Sequence, residues 1–294
     1  IKAGSRVMAA FSASMIKDLR DRTGLGMMEC KRALAESEGD IDKAIDDLRK
    51  SSGIKAAKKA GRIAAEGVVA VKLSQDRTYG VMIEVNSETD FAARDENFLK
   101  FVEDALDKAF NNKQLDFDEF VSSMESSRQG LVQKVGENIN IRRVELIEAP
   151  VVGAYIHSNS RIAVLVALTG ADADVAKDVA MHVAAANPQV VNPEDMPDSL
   201  VSKEKEIFIA QAKESGKSEE IIEKMIKGRI NKFLSESSLV SQPFVKNPEI
   251  TINKLVEGFG AKVLSFSRFE VGEGIEKAEV DFAAEVAAQV SAAK

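Results

Sequence analysis

Few residues in this chain could make or break a bond. The two histidines, His157 and His182, have no cysteine or carboxylate at metal-ligand spacing around them, so no metal centre is expected. His182 lies at the helical period of Val175 and Val179, and reads either as a helix-edge histidine or as a partner contact. The single cysteine, Cys30, sits in the apolar stripe Met27, Met28, Ala33 and Leu34 and reads as a buried structural thiol. Gly216-Lys217-Ser218 has the ending of a phosphate loop, but Gln211 stands where the first glycine belongs, and helix rather than strand precedes it. Gly24-Leu25-Gly26 and Gly272-Glu273-Gly274 are turn signals. The chain therefore shows no nucleotide pocket, no cofactor site and no acid–base pair suited to a hydrolase or transferase. What stands out is Ser87-Glu88-Thr89-Asp90-Phe91-Ala92-Ala93-Arg94-Asp95, one large aromatic in a polar segment. Thr89 and Asp90 are helix N-cap types, so the segment reads as a tight helix entry. Phe91 there is either a plug for its own core or a wedge for another protein's, and we read it as the wedge.

Composition narrows the choice. The 294 residues suffice for two or three domains, and 45% hydrophobic with 30% charged residues is globular. A net charge of −7 argues against nucleic-acid binding as the main role. One cysteine allows no internal disulfide, which fits a reducing, cytoplasmic setting. The longest apolar run, 162–168, is too short to span a bilayer. Residues 1–7 read as an expression remnant ahead of a natural start at Met8.

The elements that would position Phe91 follow from periodicity. Residues 8–52 read as a bundle of three short helices, with Gly39-Asp40 closing the second and capping the third. A basic stretch, 53–66, reads as a linker helix, either solvated or touching an acidic partner or RNA. An internal duplication follows, each copy a hairpin plus a helix in two layers. Core unit N (67–150) has strands at 67–73 and 79–85, then a helix face of Phe98, Phe101, Val102, Ala105, Leu106 and Ala109. Core unit C (151–197 and 235–275) has strands at 153–157 and 162–168, a helix through Val175, Val179, Val183 and Ala186, and a returning strand at 262–271. The Phe91 piece is extra in the first copy, and material a fold does not need is where function concentrates. Prolines bracket residues 198–234, an inserted αα-hairpin read as an antiparallel coiled coil. Coiled coils can dimerise, and the sequence leaves open whether this one pairs with itself, another protein or nothing. Residues 276–294 read as a C-terminal helical module, with Phe282 expected to anchor a helix from about Val280. The expected class is α+β multidomain.

The chain resembles the bacterial elongation factor Ts family, nucleotide exchange factors of elongation factor Tu. The likeness rests on the run from Leu19 to Lys31 (LRDRTGLGMMECK), on Asn86-Ser87-Glu88-Thr89-Asp90-Phe91-Ala92-Ala93, and on Gly136-Glu137-Asn138-Ile139-Asn140-Ile141-Arg142-Arg143. Gln242-Pro243-Phe244 and the run from Arg268 to Ile275 (RFEVGEGI) complete it. Ala92 stands where the family usually has valine. The resemblance implies a ubiquitin-associated-like N-terminal bundle, a two-part core, a coiled-coil insertion and a C-terminal module. It implies that Thr89, Asp90, Phe91 and Ala92 enter the partner's GTPase domain and dislodge its Mg²⁺. Arg20, Met27 and Met28 would dock the bundle on the same domain, and His182 would touch another. A non-catalytic scaffold that holds a GTPase or another helical partner without affecting nucleotide is the competing reading.

Overall fold

The structure, a computed structural model, describes residues 11–113, 116–213 and 218–276. Residues 1–7, read above as an expression remnant, the expected hairpin break at 215–217 and the expected C-terminal helix with Phe282 lie outside the described residues. Within them the chain is α+β, with small antiparallel sheets and helices.

Local chemistry sets the first three helices. The Ser12 hydroxyl accepts from the Met15 N–H to open α1 (Ala13–Thr23), and Gly24 ends it at φ 66°. α2 (Met27–Glu36) and α3 (Ile41–Lys59) follow, Asp40 capping α3 by accepting from the Lys43 N–H. Leu19, Cys30, Leu34 and Ala44 are fully buried in a small shared core, so the thiol is structural.

α3 corrects the expected linker. It runs unbroken from the bundle to Lys59, and its small residues Ser52 and Ala56 pack inward where α3 meets α5 (Phe117–Val135). Three of the basic residues there find partners inside the chain. Lys55 pairs with Glu29, Lys59 donates to the Gly136 carbonyl, and Arg62 pairs with Glu88 at 3.5 Å.

β1 (Glu66–Leu73) and β2 (Tyr79–Ser87) form a hairpin, and β3 (Ile139–Glu148) joins the other edge of β2. Between β2 and β3 run α4 (Glu96–Asn111) and α5. The second sheet repeats the order: β4 (Val151–Ile156), β5 (Ile162–Leu168) in the centre, and β8 (Val263–Glu270). α6 (Ala173–Ala186) covers its outer face. α7 (Asp198–Lys213) and α8 (Glu219–Ser237) form a hairpin, followed by β6 (Pro243–Phe244), β7 (Asn247–Thr251) and α9 (Ile252–Glu257). The α5 helix and the β3 strand are absent from the sequence-based outline.

The two sheets pack face to face, so the core has four layers rather than two separate two-layer units. Val81, Ile83 and Val85 of β2 face α4 and α5, while Met82 faces the other sheet. In β5, Val164, Val166 and Leu168 face α6, and Ala163, Leu165 and Ala167 face the first sheet. Burial on both faces explains why these two strands read as continuous apolar runs. The alanines let the sheets approach, and a Cβ on Gly153 would fall 2.4 Å from the Ala176 carbonyl of α6.

One charge lies in this inter-sheet layer. The Glu84 side chain is fully buried and accepts from Arg142 at 3.1 Å, Arg143 at 2.6 Å, Asn86 at 3.0 Å and the Gly272 N–H at 2.9 Å. Arg143 lies 4.0 Å over the Phe269 ring, and Arg142 reaches the Glu273 carbonyl. Gly272 has φ 75°, and its Cβ would meet the Ala65 carbonyl at 2.2 Å, so only glycine brings that N–H to the carboxylate.

His182 is buried too, at 1% exposure. Its Nδ1 accepts the Val245 N–H at 3.3 Å, so the proton sits on Nε2, which donates to Gln242 Oε1 at 2.9 Å. Gln242 is oriented by its own donation to the Glu236 carbonyl at 2.6 Å. The helix-edge reading therefore gives way to an inward one, because α6 is covered on that side by Phe244, 6.3 Å away ring to ring.

Two predictions follow from these buried groups. Glu84→Gln should cost about 2–4 kcal/mol in urea unfolding, somewhat below a fully buried pair because the two arginines keep partial solvent access. Burial pushes the Glu84 carboxyl up, but its four donors outweigh burial and hold it below the ordinary 4.5. The unfolded chain thus takes up that proton first on acidification. The contribution of Glu84 is complete above about pH 4.5 and is lost as pH falls through the folded value. The unfolding midpoint of wild type should drop more steeply there than that of Glu84→Gln. For His182, burial pushes the ring below its ordinary 6.5, the Gln242 bond opposing only in part. The unfolded state then binds the proton first as pH falls below about 6.5, so stability declines from there until the folded value is passed. His182→Ala should lose about 1–3 kcal/mol by stranding Gln242, and should flatten the decline in urea midpoint between pH 7 and 5.

Candidate functional site

The Phe91 segment leaves the end of β2. The Ser87 hydroxyl donates to the Thr89 carbonyl at 2.9 Å, turning the chain at once. Thr89 Oγ1 then accepts the Ala92 N–H at 3.2 Å, which opens a short 3₁₀ turn, Ala92–Arg94. The expected cap is thus split. Thr89 caps the 3₁₀ turn, and Asp95 caps α4, accepting from the N–H groups of Asn97 at 2.8 Å and Phe98 at 3.3 Å. Burial pushes the Asp95 carboxyl up, but the Asn97 and Phe98 bonds and the nearby Lys134 outweigh it and hold it below the usual range.

The turn sorts its side chains cleanly. Ala92 and Ala93 point inward at 5% exposure each, while Phe91 is 80% exposed. An aromatic left that far in water gains nothing from its own fold. Asp90 pairs with Arg94 at 2.8 Å on the surface, a contact worth little to stability. Phe91 borders a shallow depression shared by Thr89, Asp90, Arg94 and the Glu66–Arg161 ion pair, so the hairpin turn of the second sheet reaches this site.

The strap between α5 and β3 holds the segment from below. Glu137 accepts from the Thr89 N–H at 2.9 Å and from Thr89 Oγ1 at 2.6 Å. Glu88 returns the arrangement by accepting the Asn138 N–H at 2.6 Å. Sequence reasoning gave neither Glu137 nor Asn138 a role. The available signal was their position, two polar residues just past the left-handed Gly136 cap and before a strand.

The bundle carries a second exposed surface. Met27 and Met28 open α2 at 60% and 75% exposure, and Arg20 is exposed on α1. Adjacent solvent-facing methionines form an adaptable apolar patch. Lys134 of α5 bridges the start of α4 and the turn after α1. Its ammonium donates to the Asn97 side chain, and a Cβ on Gly24 would fall 2.2 Å from it. The structure brings Thr89, Asp90 and Phe91 together on one turn and places Met27 and Met28 at the start of α2. It does not bring His182 there, nor does it turn His182 outward. Among the described residues no group of histidine, cysteine and carboxylate side chains could hold a metal ion, and no helix is long and apolar enough to cross a membrane.

The Elongation factor TS family profile matches residues 88–273. Elongation factor Ts of Teredinibacter turnerae is 66% identical over 292 residues, covering 97% of this chain and 99% of the relative. The Saccharophagus degradans protein of the same name is 65% identical (97% and 99% covered), and that of Hahella chejuensis is 63% identical (96% and 99% covered). With the clamped turn, the exposed Phe91 and near-full-length identity of this order, the chain belongs to the elongation factor Ts family.

Proposed function

We propose that this protein binds elongation factor Tu carrying GDP, drives the Thr89–Ala92 turn into the GTPase domain, displaces its Mg²⁺ and so promotes GDP release in translation elongation. The observation that carries this is Phe91, 80% exposed on a turn whose backbone is otherwise fixed. Mg²⁺ demands near-ideal octahedral geometry, so a small shift of its supporting loops costs much nucleotide affinity. Burying one phenylalanine supplies roughly 1.5–3 kcal/mol toward that shift. No covalent bond changes, so the factor is not an enzyme in the chemical sense.

The remaining roles follow from placement. Arg20, Met27 and Met28 dock the ubiquitin-associated-like bundle on the same domain, supported by their exposure. The α7–α8 hairpin is an antiparallel coiled coil, supported by Arg229 stacking over Phe208 at 5.5 Å and donating to Gln211 at 2.6 Å across the pair. His182 serves a second contact indirectly, by fixing Phe244 and Val245, of which Val245 is 45% exposed. The protein acts in the cytoplasm and binds no nucleotide itself.

The test is release of a fluorescent GDP analogue from elongation factor Tu at fixed Mg²⁺, with and without this protein. Wild type should accelerate release strongly. Phe91→Ala should lose about ten- to a hundredfold of that acceleration, with stability changed by less than about 0.5 kcal/mol because the ring is exposed. An unfolded Phe91→Ala would show the ring to be core. Binding without acceleration would leave a scaffold.

A further inference from the structure

We infer that Glu137 is a positioning residue for exchange: its carboxylate stiffens the Phe91 turn so that the ring moves the partner instead of yielding to it. This rests on the exchange reading above. The turn has little else to hold it. Its apolar anchors are two alanine methyls, and Phe91 contributes none. Glu137 supplies the missing rigidity through one side chain in two ways. It accepts the Thr89 N–H and, with its other oxygen, the Thr89 hydroxyl proton. A hydroxyl has a single proton, so donating it to Glu137 aims an oxygen lone pair at the Ala92 N–H, 3.2 Å away. The carboxylate thereby fixes the backbone on both sides of Phe91.

The clasp is also anchored at its far end. Glu88 holds the Asn138 N–H, and the Asn138 amide donates to the carbonyls of Arg62 at 2.8 Å and Ala60 at 3.3 Å, just past α3. Lys59 holds the Gly136 carbonyl. Residues 136–138 thus tie the Phe91 turn to the end of the helix that leaves the bundle. A ring on a loose loop would lose part of its binding free energy to ordering that loop. On this strap, force at Phe91 is carried into the body of the protein. Glu137 is only half-buried and lies outside the apolar clusters, so its loss should spare the fold.

The experiment compares the full-length Glu137→Ala, Phe91→Ala and double variants in GDP release from elongation factor Tu. Each is titrated to saturation to separate half-saturating concentration from maximal rate. Glu137→Ala should keep the wild-type circular dichroism and melting transition. Its half-saturating concentration should stay within about threefold, while its maximal release rate falls about tenfold. The double variant should be no slower than Phe91→Ala, because Glu137 acts through that ring. A wild-type maximal rate in Glu137→Ala, or losses that multiply in the double variant, would overturn the inference. If Glu137→Ala does not fold, Glu137→Gln, which keeps one acceptor and the side-chain shape, should give an intermediate maximal rate, and a wild-type rate there overturns it. Failure of wild type to accelerate release, or of Phe91→Ala to slow it, would instead bring down the exchange reading itself.

Discussion

Glu84 has no exposed atom, and a carboxylate in that position is tolerable only because donors from both halves of the core converge on it. Arg142 and Arg143 come from β3, the edge strand of the first sheet, while the Gly272 N–H comes from the turn after β8 of the second. The first sheet supplies three of the four donors, and the turn after the second sheet's last strand supplies the fourth. Breaking a buried pair is costly, whereas replacing the whole set by apolar residues often is not, so its contribution to stability is bounded. Its contribution to register is different in kind. The apolar inter-sheet residues, such as Ala163, Leu165 and Met82, could slide past one another. A carboxylate with several fixed donors accepts one alignment.

The end of β2 is where the Phe91 turn begins, so the frame and the candidate site are continuous. Three residues beyond Glu84, Ser87 starts the bend, and the next residues are held by Glu137 and by their own grip on Asn138. Polar bonds rather than apolar packing fix this turn. That is the arrangement a protruding aromatic requires, since a turn fixed by its own ring would bury the ring. Exposure of Phe91 and rigidity of its backbone are compatible only because the holding is done by carboxylates on N–H groups.

Much of this was legible in the sequence. The β5 strand and the αα-hairpin showed through apolar runs and proline brackets, and the exposed ring through its polar neighbours. The face-to-face sheets were not, because an apolar run such as 162–168 says that both faces are covered but not by what. α5 was hidden by its serines, which favour caps and turns, although Phe120, Met124 and Leu131 lie on one helical face. The basic residues after the bundle read as solvated because their acceptors, Glu29, Glu88 and the Gly136 carbonyl, lie 26 to 77 positions away. His182 read as an edge residue because its cover, Gln242 to Val245, arrives some sixty residues later. Apart from α5, the missing information was tertiary partners at long sequence separation.

Two exposed surfaces, one at Phe91 and one at Met27 and Met28, suit the thermodynamics of the exchange proposed above. Coupling between factor and nucleotide is reciprocal, so whatever the factor does to GDP, nucleotide does to the factor. A protein that bound by the wedge alone would be expelled whenever nucleotide returned. One that bound by the bundle alone would never loosen it. On the reading proposed above, Arg20, Met27 and Met28 would retain the partner through both states, while Phe91 would bind well only once the Mg²⁺ site had given way. Differential affinity of that kind is what shifts an equilibrium; uniform affinity shifts nothing. The strap between the two surfaces matters for the same reason. Were they joined by a flexible linker, the bundle could hold while the wedge swung free, and the affinity gained at one surface would not be spent on strain at the other.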